Sequence, residues 1–347
     1  MSVERIDLTS DSSISRVMKG GWQLSAGHSE DNQTSAIEDM FAFVDAGITT
    51  FDCADIYTGV EELIGAFRRQ YQAQRNMDAP IQIFTKYVPD YDLLSKLTKR
   101  NVEQVIDRSL LRLGVNQLDM VQFSWWNYAT PKWVETAVWL QELQQAGKIK
   151  LLGGTNFNTL ATQAMLDAGV RLATLQVQYS LLDNRPEKEL IALCQANKIK
   201  LVCYGTVAGG FLSDHWLNRA EPQPPFENRS LIKYKLMIDE IGGWDVFQNL
   251  LAVLQKIALE NQASITNIAT RYILQKPSVA AAIVGARNQS HISDNLRVFE
   301  FTLSQKQITA IDTALAVKQS IAGDVFDLER IKDGKHGRIM RYNLSKQ

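Results

Sequence analysis

An alternation constrains this chain more than any other feature. Short β-branched or apolar runs are each followed by a longer stretch whose apolar residues recur every three or four positions, and eight such runs lie between residues 17 and 285. They are VMKGGW (17–22), ITTFD (48–52), IQIFTK (81–86), DMVQFS (119–124), KLLGGT (150–155), TLQVQY (174–179), KLVCY (200–204) and AAIVG (281–285). The stretches between them include TSAIEDMFAFVDAG, KRNVEQVIDRSLLRLG and PKWVETAVWLQELQQAG, which have helical periodicity and end on Gly as helix C-termini prefer. Strands joined by crossover helices must run parallel, and runs as apolar as DMVQF and KLVCY suit strands covered on both faces. Eight units close a barrel, and no GxGxxG follows the first run as it would in an open dinucleotide-binding sheet. The expected fold is α/β: a single-domain (β/α)8 TIM barrel over residues 1–320 with long C-terminal-face loops. A charged C-terminal tail, 321–347, would pack on or near the barrel. The Pro-rich linker SDHWLNRAEPQPPFENRSLIKYK after the seventh strand reads as an active-site loop or lid.

Charge excludes some partners. Net charge is -1 with both signs spread along the chain, so there is no field to hold nucleic acid or an anionic membrane. MSVERIDLTS has no apolar signal core, and no apolar stretch approaches the ~20 residues of a membrane span, so a cytoplasmic protein is expected. Cys53, Cys194 and Cys203 have no CxxC or metal-ligand spacing; buried thiols and no metal are expected.

In such a barrel the catalytic groups gather at the C-terminal ends of the strands. The polar residues there are Asp52, Lys86, Ser124, Thr155, Asn156, Gln178 and Tyr204, with Tyr57 in the loop after the second strand. Together they suggest a proton donor: Lys86 as a cation would draw the Tyr57 pKa down from ~10, while Asp52 holds the ammonium. Thr58 and Glu61 have the spacing of a capping box for the helix that follows, and Asp55 reads as a local hydrogen-bonding residue.

FDCADIYTGVEELIG, FTK, LLGGTNF, QVQYSLLDNRPE, YGTVAGGFLS and AAIVGARNQSHISDN, in this order, resemble the aldo-keto reductases from about Val17 to Phe299. The resemblance implies catalytic roles for Asp52, Tyr57 and Lys86. It implies a nicotinamide carboxamide held by Thr155, Asn156 and Gln178, with Tyr204 stacked beneath the ring. The backbone of Gly205, Thr206, Val207 and Gly209 would wrap the pyrophosphate. In the segment opening at Gly285, Arg287 would lie near a ribose 2'-phosphate, and Asp294 and Asn295 would meet the adenine. An Arg there points to NADP(H). NAD(H) stays open, because His291 stands where many members carry a second basic group. Trp22 and Trp125 would wall the pocket of a small-molecule carbonyl substrate. Oligomeric state is left open.

The pattern breaks at DMVQFSWW. The family's fourth strand ends in His followed by Trp, but Ser124 stands here, and a hydroxyl cannot titrate near neutral pH. His28 and His215, in loops on the same rim, are distant substitutes. Carbonyl reduction therefore stands beside two alternatives: a nucleotide-binding regulatory protein of little activity, and an enzyme of altered redox chemistry such as enone reduction, alcohol oxidation or an internal redox step.

Overall fold

The computed structural model describes residues 3–24, 31–75, 80–285 and 288–343. Eight parallel strands form the barrel in chain order: Val17–Gly20, Thr50–Asp52, Gln82–Tyr87, Leu118–Phe123, Ile149–Thr155, Thr174–Gln178, Lys200–Tyr204 and Val279–Val284. The last pairs with both the seventh and the first, so the sheet closes on itself as a (β/α)8 TIM barrel. Period-two alternation then divides the side chains. Met18, Phe84, Met120, Leu151, Val202 and Ala280 fill the lower interior as an apolar plug. Phe51, Ile83, Val121, Leu152, Leu175 and Cys203 belong to the larger apolar core that includes the surrounding helices.

Local chemistry starts and stops those helices. Thr98 and Asn101 form a capping box at the start of Lys99–Leu113, and Gly114 ends it in the left-handed region at φ 67°. Ser264 with Asn267, and Ser304 with Gln307, open Ile265–Leu274 and Gln305–Leu315 in the same way. Gly153 and Gly154 in the fifth strand are required by packing: a Cβ on Gly153 would lie 2.5 Å from Thr174 Oγ1, and one on Gly154 would lie 2.8 Å from Leu175 Cδ2.

One element is added and two local expectations are corrected. An antiparallel hairpin, Arg5–Thr9 with Ser12–Ser15, precedes the barrel, and its Ile6 and Leu8 pack on the apolar plug. The linker after the seventh strand ends at Asn228, whose side chain caps the helix Arg229–Glu240, so its last third is helix and not lid. Glu61 does not turn back to cap with Thr58. It is buried, accepting from Thr85 Oγ1 at 2.6 Å and from Arg112 Nη1 at 3.4 Å, which ties the second helix to the third strand and third helix.

The chain after the last long helix returns across the mouth. The short helix Asp327–Arg330 reaches the loops after the fourth, fifth and sixth strands. Arg229 Nη1 donates to Ile339 O at 3.2 Å, and Tyr91 N–H donates to Tyr342 O at 2.9 Å, so this segment touches both the seventh and third loops.

Candidate active site

Above the apolar plug, the interior turns polar. Asp52 ends the second strand and Lys86 lies one residue from the end of the third, so their side chains meet at the mouth. Lys86 Nζ donates to Asp52 Oδ2 at 2.6 Å and to Cys53 O at 2.8 Å. The other carboxylate oxygen, Oδ1, accepts from Gln176 Nε2 at 2.6 Å and Gln122 Nε2 at 3.2 Å. Both charges are buried, with two hydrogen bonds from the ammonium and three to the carboxylate, and such bonds are the condition under which a buried ion pair is tolerated.

Tyr57 sits beside this pair, with Lys86 Nζ 5.2 Å from its ring centre, and Trp22 packs edge-on against it at 5.1 Å. The expected direction of its pKa is corrected. Burial, with Asp52 and Cys53 adding to it, lifts Tyr57 above an ordinary phenol, while Lys86 opposes by charge and hydrogen bond without reversing the balance. For Lys86, burial favours the neutral amine, but Asp52 and Tyr57 outweigh it and hold the ammonium above an ordinary lysine. The site therefore rests as a protonated phenol beside a firm cation.

Ser124 is buried at the end of the fourth strand, and its hydroxyl has no hydrogen-bond partner among the described residues. Trp125 departs from expectation. It is 0% exposed, its ring lies against Phe123 and its Nε1 donates to Asn127 O at 2.9 Å, so it is core and does not wall a pocket. Trp126 is the partly exposed member of the pair, bonded to Pro89 O and packed on Tyr342. Trp22 is 43% exposed beside Tyr57. His215 packs on Trp216, and His28 lies outside the described residues.

The remaining predicted positions form a second polar surface. Asn156, at φ 60°, accepts from Tyr204 OH at Oδ1, 2.8 Å, and its Nδ2 bonds to nothing among the described residues. Gln178 Nε2 donates to Asp183 Oδ2 at 2.7 Å, and its Oε1 is enclosed without a partner. Gln176, two residues earlier on the same face, has Nε2 on Asp52 and Gln122 and, among the described residues, no hydrogen bond to its Oε1. Thus one free amide donor and two free amide acceptors line adjacent strands, a set complementary to a primary carboxamide. Thr155 is buried beside Gln176, its strand partner.

In the seventh loop, among the described residues, the N–H groups of Thr206, Val207 and Gly209 bond to no carbonyl, while those of Ala208, Gly210 and Phe211 close the turn. Successive free amides of this kind suit an anion. Gly205 and Gly209 both have positive φ, and a Cβ on either would strike the Tyr234 ring, so these glycines admit Tyr234 as well as the turn. Asn295 Nδ2 is buried without a partner among the described residues, and Asp294 O accepts from Asn267 Nδ2 at 2.9 Å. Gly285 is exposed at the end of the eighth strand; Arg287 lies outside the described residues.

Sequence reading missed Gln122 and Gln176. Each lies inside a strand and not at its end, and the available signal was parity: Gln176 shares the inner face of Gln178, and Gln122 that of Ser124.

Geometry of this kind defines a class, a (β/α)8 barrel whose mouth brings a phenol, an ammonium and a carboxylate together beside unspent polar groups. A model of the Aldo/keto reductase family matches residues 16–316. Aldo-keto reductase YhdN of Bacillus subtilis is 26% identical over 309 residues, covering 87% of this chain and 90% of its own. The NADH-specific methylglyoxal reductase of Escherichia coli is 25% identical over 318 residues, 87% and 94% respectively. Among solved structures, the glycerol dehydrogenase AKR11B4 from Gluconobacter oxydans superposes with a TM-score of 0.76 at 25% identity, covering 91% of this chain and 96% of that one. The chain belongs to the aldo/keto reductase family, nicotinamide-dependent oxidoreductases that act on small-molecule carbonyl substrates.

Proposed function

We propose that this protein is an NADPH-dependent reductase of an aldehyde or ketone. The observation that carries the reading is the contact of Lys86 with Asp52 at 2.6 Å beside the Tyr57 phenol. Bound cofactor would supply a hydride to the carbonyl carbon. Tyr57 donates its proton to the carbonyl oxygen as that oxygen gains charge, and becomes a phenolate. Lys86, held charged by Asp52, stabilises that phenolate until solvent returns a proton. Asn156 Nδ2 and the free Oε1 atoms of Gln176 and Gln178 would orient the carboxamide, Tyr204 would lie beneath the ring, and the amides of Thr206, Val207 and Gly209 would hold the pyrophosphate. The preference for the 2'-phosphate rests on the sequence alone, on the Arg that stands at position 287, and one relative is by name NADH-specific. Ser124 contributes at most a hydrogen bond.

Two measurements test this. Single-turnover mixing of the NADPH complex with aldehydes, ketones and enones should give an alcohol, and Ser124→His should accelerate it by about a hundredfold or more, the range of a positioned acid–base group. Silence in both proteins would favour a regulatory nucleotide-binding role, and a saturated carbonyl product in place of alcohol would favour altered chemistry. The second is a pH profile. With the Tyr57 pKa raised and Ser124, not a histidine, ending the fourth strand, reduction should show no break near ~6.5 and should fall only above pH ~10 as the phenol ionises. A limb centred near neutrality would remove Tyr57 from the donor role.

A further inference from the structure

The tail helix Asp327–Arg330 and the residue before it touch the surroundings of three side chains assigned above to the nicotinamide. Arg330 Nη2 donates to Asn156 O at 2.5 Å and to Tyr128 OH at 2.6 Å, and Nη1 donates to Trp125 O and, at 3.3 Å, to Trp126 O. Its guanidinium also lies 4.1 Å from the Tyr128 ring centre. Asn156 is thus pinned through its own carbonyl, in a left-handed conformation that needs such support. Glu329 is wholly buried and takes Arg185 Nη1 and Nη2 at 3.1 Å each; Arg185 grips Asp183 through Nε at 2.8 Å and Nη2 at 2.7 Å; and Asp183 Oδ2 accepts from Gln178 Nε2. This chain fixes the Gln178 amide with its Nε2 spent and its Oε1 left to accept. Phe326, held at φ 63°, lies 5.5 Å from Lys233 Nζ, which in turn lies 5.0 Å from the Tyr204 ring centre.

We infer that residues 326–330 of the tail are positioning residues for the nicotinamide half of the cofactor, with Arg330 setting Asn156 and Glu329 setting Gln178. The inference rests on the cofactor reading above. It separates two functions within one ligand: the seventh loop and the adenosine segment would grip the phosphates and adenine unaided, while the tail would govern only the end where hydride leaves.

Fluorescence titration of the full chain with NADPH, and with ADP-ribose 2'-phosphate, which lacks the nicotinamide, tests this directly. Arg330→Met should weaken NADPH about tenfold, the scale of one lost charged hydrogen-bond set, and leave the fragment within about twofold. Arg330→Lys, which keeps the charge but not the fork, should recover part of the loss. Glu329→Gln gives the same comparison should Arg330→Met fail to fold. Equal weakening of both ligands would mean a merely structural role, and no change in either would release the tail from the site. Both results overturn the inference. If the wild-type protein binds neither ligand, the cofactor reading itself has failed, a result distinct from the other two.

Discussion

Tyr57→Phe is expected to lower NADPH-dependent carbonyl turnover by about two to four powers of ten, the usual worth of a positioned proton donor. Cofactor affinity should not change, because the phenol oxygen is not among the groups assigned to the dinucleotide. The substitution removes one oxygen and keeps the ring that packs against Trp22 at 5.1 Å, so the loop after the second strand has no reason to move. Stopped-flow measurement of NADPH oxidation, with binding followed separately by fluorescence, divides the two quantities. Turnover within a few-fold of wild type would show that the proton comes from elsewhere, and the Lys86–Asp52 pair would then be structural.

Arg185→Leu should cost about 3–5 kcal/mol of folding stability, because it strands two carboxylates, Asp183 and Glu329, in a site from which water is excluded. Urea unfolding would read this as a lower midpoint at unchanged slope. The pair also sets an acid limit. Burial alone would raise the Asp183 pKa, but the charge and hydrogen bonds of Arg185 outweigh it and hold the folded value below the usual carboxylate range. The stability this contributes is complete above the unfolded pKa of ~3.9 and is lost as pH falls through the folded value. In Arg185→Leu that support is gone, and stability should improve on mild acidification as the stranded carboxylates take up protons. A variant that unfolds at the wild-type midpoint would mean that the buried triad contributes nothing.

Much of this architecture was legible because barrel strands are short apolar runs whose polar residues fall at their ends. Asp52, Lys86 and Tyr57 stood out for that reason, and the structure brings them into contact. What escaped notice lies where that rule gives no signal. Gln122 and Gln176 lie inside their strands and not at the ends, noticeable only once the inward parity is counted from Ser124 and Gln178. The same parity would have sorted the tryptophans: Trp125 follows Phe123 into the outer core, leaving its neighbour partly exposed. The N-terminal hairpin was too short to read, with strands of five and four residues. The helix Arg229–Glu240 was hidden behind prolines and charges, its start marked only by Asn228. The direction of the Tyr57 pKa was not readable, because desolvation depends on side chains from distant segments, whereas the lysine's pull could be named from type alone.

The hairpin under the barrel makes the molecule a cup and not a pipe. Ile6 and Leu8 stopper an interior already filled by Met18, Phe84 and Met120, so that floor offers no back exit. Whatever binds above it must come and go from the mouth side.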